Sequence, residues 1–174
     1  MPIECLCVIP ANPRYVPAVD KREAALEAFR EMFPKADGVD VVVHDEISFI
    51  DSGVGFEKVS CPVCNIELDQ IWWGDAMNAA SQGRFNDLKI QLPCCDAMSA
   101  LNELDYRMPS GFARFLLKAR EPKAGQRLAP DKLHALESIL DTPLREIWGR
   151  YKEFGQGQVR VYSRAGARTA PGMR

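Results

Sequence analysis

Apolar and polar residues alternate from the start of the chain. Ile3, Cys5, Cys7 and Ile9 fall on one face of an extended segment, and Leu6 and Val8 on the other, which predicts a strand over Ile3–Ile9. Pro10 and Pro13 end it. Asp20 reads as the cap of a helix reaching about Phe33, with Ala25, Leu26, Phe29, Met32 and Phe33 as its apolar stripe. Pro34 and Gly38 close that element, and Asp40–Ile50, rich in Val and Ile, reads as a second strand.

Gly53 and Gly55 mark a loop, and the strand-like run 57–60 leads into Cys61-Pro62-Val63-Cys64. A helix is predicted over Asp69–Gln82, with Ile71, Trp72, Ala76, Ala79 and Ala80 inward, Trp73 to one side and Gly83 as the stop. Leu88–Leu92 alternates and enters Pro93-Cys94-Cys95, a helical turn is expected from Ser99, and Phe112–Ala119 reads as a strand. The last helical region begins near Pro130 with Leu133, Leu136, Ile139 and Leu140. Thr142-Pro143 predicts a restarted helix with Leu144, Ile147, Trp148 and Tyr151 inward. Strands and helices interleave, so the expected fold class is α+β: an antiparallel-rich sheet covered by helices, with an embedded zinc-knuckle pair. One domain is expected over residues 1–154, followed by a flexible Arg-bearing tail over 155–174 that contains one short strand at Gln158–Tyr162.

Composition narrows the classes. With 47% hydrophobic and 26% charged residues, the 174-residue chain has the balance of a folded protein. Its formal charge of −2 argues against a globally basic nucleic-acid binder. The tail holds Arg160, Arg164, Arg168 and Arg174 and no acidic residue, so it carries +4 and the rest −6. Four charges make a weak case for a phosphate-seeking arm, and nucleic acid is not the expected partner. Glu4 interrupts the first apolar run and no cationic segment precedes it, so no signal peptide is expected. No stretch has the length of a membrane span, and a soluble cytoplasmic protein is the expectation. In a reducing compartment the six Cys read as thiols or metal ligands before disulfides.

Cys61-x-x-Cys64 followed by Cys94-Cys95 is the arrangement with chemistry in it. Tetrahedral Zn²⁺ takes four ligands, with sulfur at about 2.3 Å, and a Cys-Pro-x-Cys turn supplies two of them. The residue after such a turn often has positive φ; Asn65 and Asp96 follow the two pairs and tolerate it best among residues other than Gly. Against this, a whole helix separates Cys64 from Cys94, and vicinal side chains in a strand point apart. Cys94 and Cys95 reach one ion only from a turn. Three readings stand: a four-Cys structural zinc site, a three-Cys site completed by His44 or Asp96, or no metal. A redox reading competes, because Cys-Pro-Val-Cys looks like a glutaredoxin-type motif. Those motifs open a helix, whereas Ile66 and Leu68 suggest that this chain leaves the turn as a short strand. Cys5 and Cys7 read as core filler.

His44, beside Asp45 and Glu46, reads as a strand-end surface residue, and His134 as a solvated one. Trp73, Asp105 and Tyr106 form a candidate partner surface. No Gly-Lys dipeptide, Gly-x-Ser-x-Gly, His-Glu-x-x-His or Gly-x-Gly-x-x-Gly occurs.

Several segments carry a resemblance. They are Phe49-Ile50-Asp51, Cys61-Pro62-Val63-Cys64, Trp72-Trp73-Gly74, Phe85-x-Asp87-Leu88, Pro93-Cys94-Cys95, Leu101-Asn102-x-Leu104-Asp105-Tyr106 and Gly111-Phe112-Ala113-Arg114-Phe115. On these the chain resembles a family of small uncharacterised bacterial proteins over roughly residues 1–150, the tail excluded. Members commonly carry Gly where Asn65 and Asp96 stand here. Some bear a sugar-transporter ATPase label, which the missing phosphate loop argues against for this chain. The resemblance implies a zinc knuckle and no established activity. The expected function is therefore a zinc-binding, non-enzymatic protein-interaction module of adaptor or immunity type, with zinc on Cys61, Cys64, Cys94 and Cys95. The alternatives are a thiol-disulfide oxidoreductase using Cys61 and Cys64, or a zinc-dependent hydrolase.

Overall fold

The computed structural model describes residues 2–54, 57–123 and 127–152. The proposed tail and its Gln158–Tyr162 strand lie outside the described residues. In chain order the elements are β1 (Ile3–Pro10), α1 (Val19–Met32), β2 (Gly38–Ile50), β3 (Val59–Ser60), α2 (Gln70–Gln82), β4 (Lys89–Gln91) and β5 (Met98–Ala100). A 3-10 turn (Leu101–Glu103) then precedes β6 (Asp105–Tyr106), β7 (Gly111–Arg120), α3 (Pro130–Leu140) and β8 (Leu144–Tyr151). Four strands form a wholly antiparallel sheet in the order β2-β7-β1-β8, so the fold is α+β as expected.

Both faces of that sheet are buried. Leu6, Val8, Phe115, Leu117, Leu144 and Trp148 meet α1 and α3 through Ala25, Phe29, Leu136 and Leu140. Cys7, Ile9, Leu116 and Ile147 occupy the opposite face with Ile50 and Ala113. There the segment after β2 crosses β8: Gly53 bridges Arg150, and the Tyr151 hydroxyl donates to the Asp51 carbonyl at 2.5 Å. Cys5 and Cys7 are core residues, and burial pushes the Cys7 thiol up to about 12, so it stays protonated.

Two sequence expectations fail here. Residues 144–151 form a strand, not a restarted helix. Leu144, Ile147, Trp148 and Tyr151 have helical spacing only because both faces of β8 are covered: Leu144 and Trp148 face the helices, and Ile147 faces the other core. Asp141 ends α3 in the left-handed region, and the Glu137 carboxylate then accepts the Leu144 N–H at 3.0 Å, which turns the chain back as a strand. In α1, Ala18 is the capping position with no side-chain bond, and Asp20 lies in the first turn, where its charge suits the helix dipole.

The residues between Ile50 and Gly111, which pair with each other, form an insertion at the end of the β2–β7 hairpin. Its regular structure is slight: α2 and the two-stranded ribbons β3–β6 and β4–β5. The insertion packs on Ile47, Phe49 and Phe112 of the hairpin through Leu68, Met77, Phe85, Leu92, Leu101 and Tyr106. Phe112 lies 5.1 Å from Phe49 and 5.4 Å from Phe85, ring centre to ring centre. Among the described residues no helix is long and apolar enough to cross a membrane.

Gly53 is the joint between insertion and sheet. Its φ is +69°, and a Cβ there would fall 2.0 Å from the Arg150 carbonyl oxygen. Gly53→Ala is expected to cost about 3 kcal/mol, combining left-handed strain and overpacking. Urea denaturation checks this, and an unchanged midpoint would remove Gly53 from the joint.

Candidate metal centre

The first turn runs from Cys61 to Ile66. Pro62 pre-sets φ after the first cysteine, and Asn65 takes φ 60°, the left-handed conformation its short polar side chain tolerates. The Asn65 N–H donates to the Cys61 carbonyl at 3.0 Å, and the Cys61 N–H donates to the Ile66 carbonyl at 2.9 Å. Inside this loop the N–H groups of Val63 and Cys64 point at Cys61 Sγ, at 3.3 and 3.4 Å. The chain leaves extended, with Ser60 bridging Glu67 and the Leu68 N–H bonded to the Val59 carbonyl. Helix α2 begins only at Gln70, capped by Asp69, whose carboxylate accepts from the N–H groups of Ile71 and Trp72.

The second turn repeats this frame from Leu92 to Ala97. The Asp96 N–H donates to the Leu92 carbonyl at 2.9 Å, the Leu92 N–H to the Ala97 carbonyl at 2.9 Å, and Asp96 has φ 57°. Pro93 stands second, as Pro62 does. The cysteines are placed differently. Cys61 and Cys64 are first and fourth in their turn, whereas Cys94 and Cys95 are third and fourth in theirs. Leu92 fills the place of Cys61, and both are 0% exposed. The turn overcomes the expected divergence of neighbouring side chains, because the backbone reverses between Cys94 and Asp96.

The two turns meet at their sulfurs. Cys61 Sγ lies 3.8 Å from Cys95 Sγ, Cys64 Sγ lies 3.4 Å from Cys94 Sγ, and all four are within 4.8 Å of one another. A tetrahedral ion with metal–sulfur bonds of about 2.3 Å requires sulfur–sulfur edges of about 3.8 Å. The cluster therefore fits a four-thiolate metal site, and the four expected ligands are the residues brought together. Neither His44 nor Asp96 belongs to it. Asp96 serves the backbone, while His44 lies in β2 with a partly buried ring whose pKa burial lowers.

Proton affinities differ sharply across the metal-free cluster. Burial raises Cys61, yet the N–H groups of Cys64 and Val63, with the neighbouring thiols, outweigh it and hold the pKa at about 6. Burial and hydrogen bonds with Cys64 and Cys61 push Cys94 up to about 12. At Cys95 the Ala97 N–H and the Cys94 thiol lower the value, but burial and Cys61 outweigh them and raise it. The ion-free cluster at neutral pH thus centres one thiolate on Cys61, solvated by thiol and amide donors.

The remaining sequence candidates separate. Tyr106 is buried, and its hydroxyl donates to the Leu101 carbonyl at 2.8 Å. Trp73 lies half-buried against Phe49, with ring centres 5.9 Å apart, and its indole N–H reaches the Tyr106 hydroxyl at 3.4 Å. These two side chains build the insertion's core, so the expected partner surface of Trp73, Asp105 and Tyr106 keeps Asp105 as its exposed member. The α2 stripe is also rotated from expectation. Met77, Ala76 and Ala80 face inward with the tryptophans, and Ile71 is 77% exposed. His134 is solvent-exposed beside Glu137, as expected. The offset of the second turn was missed in the sequence; the aligned prolines, Pro62 and Pro93, were the signal that could have found it.

Because Cys61 is depressed below the ordinary thiol value of 9.0, its contribution to metal-free stability is present above that value and lost as pH falls through about 6. Reduced, metal-free protein is expected to gain one thiolate with a midpoint near pH 6, followed by ultraviolet absorbance, and Cys61→Ser to abolish it. Titration of every thiol near pH 9 would contradict this. Comparison of the chain with models of known protein families, with curated proteins and with solved structures gives no match.

Proposed function

We propose that the chain is a small zinc protein in which Cys61, Cys64, Cys94 and Cys95 hold one structural Zn²⁺, and that it acts as a non-enzymatic protein-interaction module of adaptor or immunity type. The observation that carries the metal half is the convergence of four Sγ atoms within 4.8 Å on two hydrogen-bonded turns. Four sulfur ligands in tetrahedral reach suit zinc, and a closed shell with no position for water is the structural form of such a site. That closure speaks against a hydrolase. Burial of Cys61, and the absence of a helix opening at it, speak against a glutaredoxin-like nucleophile.

Support for an interaction role comes from the surface around the turns. Val63 and Ile66 on the first turn, Met98 directly after the second and Ile71 at the start of α2 are all exposed large apolar residues. These four exposed apolar residues on and beside the two turns are the feature that supports an interaction surface. The reading also agrees with the zinc knuckle that the family resemblance implies.

Purified full-length protein is expected to carry one zinc per chain by elemental analysis. Chelation is expected to lower its Tm by about 10 °C or more, because metal binding and folding of the insertion are one equilibrium. Cys61→Ser should lose the metal. In an affinity pull-down, a stoichiometric protein partner lost on Val63→Asp would support the interaction half. A well-folded protein that carries no metal and ignores chelator would overturn the zinc assignment.

A further inference from the structure

The two turns share a backbone and differ in chemistry. In the first, the third and fourth N–H groups converge on the sulfur of the first residue, Cys61. In the second, that first residue is Leu92, which offers no acceptor, and the cysteine has moved to third place. The frame that shields Cys61 is therefore present around Leu92 with no sulfur inside it. Cys95 retains an N–H from Ala97, whereas the partners of Cys94 Sγ are other sulfurs, with Cys64 Sγ at 3.4 Å. Cys61 is also wholly buried, whereas Cys64 and Cys94 are half-buried and Cys95 is exposed.

Amide donors withdraw charge from a thiolate and make it a poorer nucleophile, so outer hydrogen bonds decide which ligand of a metal thiolate reacts. We propose that Cys94 is the modification site of this cluster. Hydrogen peroxide oxidises it, and the product is a Cys64–Cys94 disulfide joining the two turns. The inference rests on the metal-centre reading above. In the first step the Cys94 sulfur attacks one peroxide oxygen, the O–O bond breaks, and one water leaves with a proton from solvent. Cys94 is then a sulfenic acid. In the second step the Cys64 sulfur attacks Cys94, the S–S bond forms, and the S–O bond breaks to release a second water with a second proton. The two sulfurs lose two electrons and the peroxide gains two. Cys61 and Cys95 are then the two cysteines left as ligands, too few to retain the ion.

The test treats zinc-loaded full-length protein with stoichiometric hydrogen peroxide, follows zinc release with a colorimetric chelator and maps disulfides by non-reducing peptide mass spectrometry. Zinc content is measured before peroxide is added, so failure of the metal reading shows up separately as protein without metal. In that event the disulfide map is read on the reduced protein and still decides the Cys64–Cys94 pairing. The expected map has Cys64–Cys94 as its dominant bridge, with zinc released in step. Leu92→Cys combined with Cys94→Val moves the ligand to the first place, under the turn's N–H groups, and is expected to keep zinc while slowing release by about tenfold or more. Cys94→Ser, which leaves Leu92 undisturbed, is expected to abolish the bridge. A dominant bridge through Cys61, a vicinal Cys94–Cys95 bridge, or zinc release at the wild-type rate in the Leu92→Cys, Cys94→Val double variant would overturn the proposal.

Discussion

The insertion between β2 and β7 has too little regular structure to hold itself together. Its ribbons contain two residue pairs in β3–β6 and three in β4–β5, and isolated two-stranded ribbons are marginal in water. They meet at four sulfurs and in the hydrophobic cluster that holds Leu68, Leu92, Leu101 and Tyr106. A metal ion shared by Cys61, Cys64, Cys94 and Cys95 would tie the β3 side to the β4–β5 side across a gap that no backbone ladder spans. The aromatic cluster of Phe49, Phe112, Trp73, Phe85 and Tyr106 lies on the hairpin side of the same unit. Aromatic packing fixes the insertion on the sheet at one side, and sulfur ligation would tie it at the other.

The six cysteines show how strongly environment divides one residue type. Cys5 and Cys7 share a face of a central strand, and burial keeps the Cys7 thiol protonated. The other four occupy two turns, and in the first of these the amide groups face sulfur, which is a usual means of holding thiolate charge without a lysine or arginine nearby. Cys61 benefits most, because two N–H groups reach it at once. The second turn sacrifices this arrangement at its first place, where Leu92 instead joins the hydrophobic cluster under the ribbons. One turn is thus built around a ligand and the other around a core residue.

The sheet strands β1, β2 and β7, the helices α1, α2 and α3 and the four-cysteine grouping were legible in the sequence. Each rests on a local signal: alternation, an apolar stripe with punctuation, or a Cys-Pro-x-Cys spacing. Asn65 and Asp96 were legible for the same reason, since positive φ after a tight turn is a demand on one residue. Strand β8 was hidden because tertiary packing covers both of its faces, and such a strand loses the alternation that would identify it. The inward direction of Trp73 was hidden too. Its position on α2 depends on where Phe49 lies, and Phe49 comes from a strand that the sequence does not place relative to the helix. Local demands were readable, whereas facing surfaces had to be seen.

The metal assignment places one ion among four sulfurs, contributed in equal pairs by two like-folded turns. Extended X-ray absorption at the metal edge of the purified protein tests it most directly. Four sulfur neighbours at about 2.3 Å, with no nitrogen or oxygen in the first shell, is the expected result. A shell that mixes sulfur with one or more light atoms would contradict it, because at least one of the four cysteines would then stand outside the site.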